Sequence, residues 1–168
     1  MARWPAIFGT TLLAAVAATL PVAPAQAAST NAVVKAGLIK PLVLTAKQDF
    51  DFGQIILPLS GTAVTISVSQ AGVRTCPAPA TCNGTAKQAI FNVQGSNQQV
   101  VKISAPAINL TNAAGNTLLF TPIAPATITL TNSGNPGLDF NIGGSITVSS
   151  TTADGNYTGT LVVTADYQ

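Results

Sequence analysis

Asn156-Tyr157-Thr158-Gly159-Thr160-Leu161-Val162-Val163-Thr164-Ala165-Asp166-Tyr167 is the stretch on which the reading of this chain turns. Tyr157, Gly159, Leu161, Val163, Ala165 and Tyr167 fall on one face. Thr158, Thr160, Val162, Thr164 and Asp166 fall on the other. A period of two predicts a half-buried β-strand. Asp154-Gly155-Asn156 immediately before it is a turn signal. The apolar face is expected to bury against strands earlier in the chain or against one supplied from outside.

Working back from this strand, short apolar runs follow one another between Gly, Pro and Asn turns. Thr62 to Val68 alternates, with Val64, Ile66 and Val68 on one side. Phe50 and Phe52 alternate with Asp49 and Asp51, which places the rings toward a core and the carboxylates toward solvent. Strands are expected from Leu42 to Ala46, through Gln54 to Leu57, and at 89–93, 100–103, 107–110, 118–120, 127–130 and 140–148. Gly95-Ser96-Asn97 reads as the turn of a hairpin, and residues 70–85 read as a loop. No amphipathic helix pattern of useful length follows the N-terminal segment. Many short strands at close spacing predict an all-β, immunoglobulin-like antiparallel β-sandwich.

The N-terminus reads differently. Arg3 precedes an apolar or small run from Ile7 to Leu20, then Pro21 and Pro24, then the small-x-small site Ala25-Gln26-Ala27. Residues 1–27 are expected to be a secretory signal peptide, too short to span a membrane as a helix. Residues 28–40 are expected to form an N-terminal arm, with Ala32, Val34, Ala36 and Leu38 in one phase and Lys35 and Gly37 in the other. Pro41 closes the arm, and residues 41–168 are expected to be the β-sandwich domain.

Composition narrows the function classes. The chain has 7 Lys and Arg, 5 acidic residues, all Asp, and no His, so its net charge is +2. No basic patch or acidic tail is present to attract nucleic acid or a membrane surface. A hydroxyl nucleophile lacks a His base, and no Ser-x-x-Lys motif occurs. Asp49 and Asp51 are a solvated strand edge rather than a glycosidase pair or a calcium site, which needs six to eight oxygens. Gly143-Gly144 has no helix after it to make a phosphate loop and reads as a bulge or a close backbone approach. The three Asn-x-Thr sequons at Asn83, Asn109 and Asn156 are expected by chance in so Asn- and Thr-rich a chain. No catalytic residue, metal site or cofactor is expected. Cys76 and Cys82, the only cysteines, are expected to form a disulfide in an oxidising compartment. The bridge would stabilise its own short loop more than the domain.

Several segments carry a resemblance. The ending has alternating apolar residues, Tyr167 as penultimate residue and Gly155 fourteen positions from the end. It resembles the C-terminus of chaperone–usher pilin subunits. Asp51-Phe52-Gly53 and the Gly-x-Tyr-x-Gly ending are similar to spore coat protein U-like secreted domains. With Lys40-Pro41-Leu42, Ala89-Ile90-Phe91-Asn92-Val93-Gln94-Gly95 and Ile142-Gly143-Gly144, the chain resembles an exported bacterial family, the domain of unknown function 4402. The cysteines depart from the common pilin pattern, since both sit in one short loop.

The resemblance implies a fimbrial or surface-structural subunit, exported to the periplasm or cell surface of a bacterium. In pilin-like subunits the sandwich lacks one strand, which a periplasmic chaperone and then the arm of an identical or related subunit supply. Residues 32, 34, 36 and 38 would be the donor face. The face holding Tyr157, Gly159, Leu161, Val163, Ala165 and Tyr167 would be the assembly strand. The alternative is a sandwich completed by its own arm, a secreted module of binding or unknown function, with the 70–86 loop as its exposed contact element.

Overall fold

A computed structural model of the chain describes residues 26–168. The expected signal peptide lies outside the described residues, apart from its last two positions. The chain divides into a unit ending at Ala36 and a unit running from Gly37 to Gln168. In the first, residues 26–36 form no strand and are exposed.

The second unit is all-β among the described residues. Its strands are β1 (Val43–Gln48), β2 (Gln54–Ile56), β3 (Val64–Val68), β4 (Arg74–Thr75), β5 (Thr81–Asn83) and β6 (Ala89–Gln94). They continue with β7 (Val100–Ser104), β8 (Ile108–Thr111), β9 (Thr117–Ile123), β10 (Thr127–Thr129), β11 (Leu138–Val148) and β12 (Thr164–Tyr167). Every pairing is antiparallel. One sheet runs β1-β6-β11-β3-β4, with β9 joining β11 to β8. A second runs β10-β7-β12, and β2 pairs with β5 alone. The arrangement is sandwich-like.

β11 links the halves. Leu138–Ile142 pair with β6, Gly144–Val148 with β3, and Gly143–Ile146 with β9. Its changeover from one neighbour to the next falls at Gly143-Gly144, where a Cβ on Gly143 would meet the Val68 carbonyl and one on Gly144 would meet the Phe120 ring. The double glycine is a close backbone approach, one of the two readings its sequence allows.

The core has two clusters. Phe52, Val64, Ile66, Val68, Ala80, Phe120, Ile146 and Val148 form one. Ala89, Val93, Val101, Ile103, Leu130, Phe140 and Ile142 form the other. Phe50 and Leu161 pack against both. Val64, Ile66 and Val68 are buried in the phase their alternation predicts.

Three expectations are corrected. Gly95-Ser96-Asn97 does not close a hairpin: β6 lies between β1 and β11, whereas β7 lies between β10 and β12. The turn carries the chain between sheets, because both edges of each strand are already taken by others. Residues 70–85 are not wholly loop, since β4 pairs with β3 and β5 with β2. These strands are two and three residues long and too short to show a period. The last strand is also interrupted: only Thr164–Tyr167 is continuous ladder, while Thr158 makes an isolated bridge to Thr111. Between these two pairings the segment runs past β8, with Gly159 against Leu110 and the Asn109 carbonyl, and then past Ala105-Pro106-Ala107, the break between β7 and β8. Pro106 has no N–H to donate, so the ladder lapses there.

Candidate functional site

That interrupted segment forms one wall of a groove of about 1160 Å³. Residues 152–161 line this wall, and the opposite wall comes from Ala46, residues 48–55 and Leu57. The floor is Ala89, Phe91, Ile108, Leu110, Leu118, Phe120, Ile146 and Val148. At its centre the Phe50 ring stands 4.7 Å from Phe52 and 4.9 Å from Phe120. Phe52 and Phe120 are 5.8 Å apart and nearly perpendicular, the edge-to-face geometry that aromatic quadrupoles favour.

Both walls offer backbone. β1 pairs only with β6, and β12 only with β7. Residues 159–163 belong to no strand. Within the walls Asp51 is paired with Lys87 and Thr158 with Thr111, while the outer edge of β1 and residues 159–163 are unpaired and stand on either side of an apolar floor, a geometry that accepts one extended strand.

Each wall is braced. On the first, the Arg74 guanidinium donates to the carbonyls of Phe52 (2.8 Å), Asn83 (2.9 Å) and Gly84 (3.1 Å). Cys82, in β5 beside β2, is bridged to Cys76 with a Cα–Cα distance of 6.2 Å, the disulfide the sequence predicts. The 70–86 loop is thus pinned behind the groove wall by cross-link, strand pairing and guanidinium. On the second, the buried Asn112 amide donates to the Asp154 carbonyl at 3.1 Å. Its Oδ1 accepts from the backbone N–H groups of Ala114 and Asn116. This one side chain ties the β8–β9 turn to the turn that opens the last segment. Tyr157 adds a hydroxyl bond to the Ala153 carbonyl at 2.8 Å.

The residues expected as assembly strand keep their phase. Tyr157, Leu161, Val163, Ala165 and Tyr167 are half-buried, and the Thr and Asp between them are exposed. Tyr157, Gly159 and Leu161 line the groove. Gly159 is exposed, and a Cβ there would press on Leu110 and the Asn109 carbonyl. Val163, Ala165 and Tyr167 pack on the second core cluster instead. The Tyr167 hydroxyl donates to the Lys40 carbonyl at 2.7 Å and accepts from the Ser96 N–H at 2.8 Å. It thereby fastens the root of the arm. The expected donor residues Ala32, Val34 and Ala36 are exposed in the first unit, and Leu38 is 94% exposed in the second.

The phenylalanine floor, Arg74 and Asn112 were not singled out as functional in the sequence. Phe50 and Phe52 carried a signal in their alternation with Asp49 and Asp51, but Arg74 and Asn112 act through contacts that no local pattern announces.

The groove's charge is one-sided. Asp49, Asp51 and Asp154 line it, and no Lys or Arg does. Asp51 accepts the Gly53 N–H at 2.7 Å. Outside the groove, Lys47 on β1 holds Asp139 on β11 at 2.8 Å, the only ion pair among the described residues. The Lys47 hydrogen bond, then that of Asn92, keeps the Asp139 carboxyl below its ordinary value. Asn92 donates from its Nδ2 to the carboxylate and to the Pro136 carbonyl, and the trio is a charged brace. Among the described residues no group of three or more Cys or Asp could hold a metal ion. No helix among them is long and apolar enough to cross a membrane.

A family model for a domain of unknown function (DUF4402) matches residues 42–167, and the chain belongs to that family. No curated protein and no solved structure matches it.

Proposed function

We propose that this member of the DUF4402 family is an exported structural subunit of a surface fibre, an immunoglobulin-like sandwich short of one strand. The arm of the next copy enters its groove. The observation that carries the reading is a groove whose apolar floor lies between the free edge of β1 and the unpaired residues 159–163. An extended segment laid between them would complete the sheet by strand addition, with ladder hydrogen bonds on both sides and alternate side chains on the floor.

The arm suits the role. Ala32, Val34, Ala36 and Leu38 repeat every second residue, and burying each larger one would contribute roughly 1.5–3 kcal/mol. The ladder bonds add less net energy each, but leaving them unmade in a covered groove is costly. One copy's arm in another copy's groove is a head-to-tail contact that generates an open fibre. A periplasmic chaperone would hold the groove before the arm arrives. The pilin-like ending, Gly155 to Gln168, supports the same reading. The role is structural, so it calls for neither catalytic residue nor cofactor.

The test is electrophoretic. Protein recovered from the cell surface or periplasm is run with and without boiling. A ladder of multiples that collapses to one band on boiling is expected. A single monomer band in both lanes, with cooperative unfolding in solution, would mean that the domain is completed by its own arm, and the fibre reading would be abandoned.

A further inference from the structure

We infer that Lys35 of an incoming arm pairs with Asp49 on the outer edge of the accepting groove, and that this pair favours one register of the arm. The inference rests on the assembly reading above and commits the groove to a second copy of this chain.

Three observations carry it. First, charge is complementary. The groove presents Asp49, Asp51 and Asp154 with no cation, whereas Lys35 and Lys40 are the only charges between residues 28 and 48 apart from Lys47 on β1 itself. Lys40 is bound by its backbone to Ser96 and Tyr167 of its own domain. That holds Lys40 at its own domain and leaves Lys35 as the side-chain charge that an outstretched arm carries. Second, the carboxylates are available. Both residues are exposed, and Asp49 has no hydrogen bond or ion pair among the described residues; the Asp51 carboxylate accepts the Gly53 N–H, and its backbone pairs with Lys87 directly opposite. Third, the phases agree. Phe50 and Phe52 point to the core, so Asp49 and Asp51 point outward. An arm with Val34, Ala36 and Leu38 on the floor carries Lys35 outward into the same layer.

Directly opposed side chains on adjacent strands have Cβ atoms about 4.5–5.5 Å apart, close enough for an ion pair. A slip of one residue would turn Lys35 into the aromatic floor. A slip of two would move it roughly 7 Å along the strand, in one direction beyond both carboxylates and in the other from Asp49 to Asp51, whose carboxylate already holds the Gly53 N–H. The apolar alternation alone cannot exclude the two-residue slip, because Ala32, Val34, Ala36 and Leu38 repeat at that interval. A pair with Asp49 excludes it in one direction and disfavours it in the other, because Asp51 is already engaged.

Polymer formation by the full chain is followed by unboiled electrophoresis and sedimentation for wild type, K35E, D49K and the double variant K35E/D49K, at low salt and at about 0.5 M salt. K35E and D49K are each expected to slow polymerisation about three- to tenfold at low salt. The double variant is expected to recover most of the rate. High salt should bring wild type down toward the single variants. Equal, salt-independent ladders in all four proteins would overturn the Lys35 pairing while leaving the assembly reading intact. Absence of any ladder in wild type would instead remove the assembly reading. Circular dichroism on each variant separates slow assembly from misfolding. If D49K fails to fold, D49N takes its place, with an expected slowing smaller than that of K35E.

Discussion

Tyr167 joins three segments through one oxygen, which is why its hydroxyl matters more than its ring area suggests. It donates to the Lys40 carbonyl and accepts from the Ser96 N–H. Tyr167→Phe keeps the ring but leaves the Ser96 N–H without its partner. A loss of about 1–2 kcal/mol in urea-unfolding stability is expected. An unchanged midpoint would show that water replaces the hydroxyl fully. Asp139 gives a pH prediction with a defined sign. Its folded carboxyl is held low by Lys47 and Asn92, so the unfolded state takes up the proton first as pH falls. The stability it adds is present above the ordinary aspartate value, near 4, and is lost below it as pH falls through the folded value. Between about pH 5 and pH 2 the urea midpoint of Asp139→Asn is therefore expected to fall less than that of wild type. Both side chains of the pair are half-exposed, so the difference is small. Parallel profiles would show that the brace is electrostatically idle.

At the scale of elements, β11 decides the fold, because it is the one strand flanked by members of both halves of the large sheet. Gly144 packs under the Phe120 ring and opposite Pro122. Gly144→Val would force that ring away and is expected to cost about 2–3 kcal/mol, the range of an overpacked core. Wild-type thermal stability in that variant would mean the ring can move freely. The strands were legible in the sequence where alternation is local, as in Val64, Ile66 and Val68, or Phe50 and Phe52. Their partners were not. Gly95-Ser96-Asn97 has hairpin chemistry, yet the edges of β6 and β7 belong to strands remote in sequence, and no local pattern records which edge is taken first. The unpaired segment before β12 has a related cause, since part of it runs past Pro106, some fifty residues upstream, which has no N–H to donate. β4 and β5 are not legible because two or three residues cannot display a period. They are held by Arg74 and by the Cys76–Cys82 bridge. Reducing that bridge is expected to lower stability by roughly 2 kcal/mol, the entropic value for so short a loop, with the far-ultraviolet β signal retained. Collapse of the β signal on reduction would mean that the bridge holds the whole sandwich and not its own loop.

At the scale of the molecule, the groove leaves Phe50, Phe91, Ile108, Leu110 and Leu118 only half-buried beside unpaired backbone, a hazard for a monomer and an opportunity for an assembling subunit. The weak net charge of +2 does little to keep copies apart. If the missing element is an extended arm, supplying that arm in trans must stabilise the acceptor. The acceptor is the full chain carrying Val34→Asp and Leu38→Asp, substitutions in the arm that leave its own groove untouched and stop it from polymerising. A peptide of residues 28–38 is then added. Binding to the folded state alone raises stability by about 2.7 kcal/mol at a hundredfold excess over Kd. For a domain of this size that is a rise in Tm of roughly 10 °C. The same peptide with Val34 and Leu38 changed to Asp is expected to give no shift, because two charges would have to enter the phenylalanine floor unpaired. Stabilisation by the first peptide and not the second would identify the arm as the occupant. Equal shifts, or none, would mean that the groove is filled by something other than this chain.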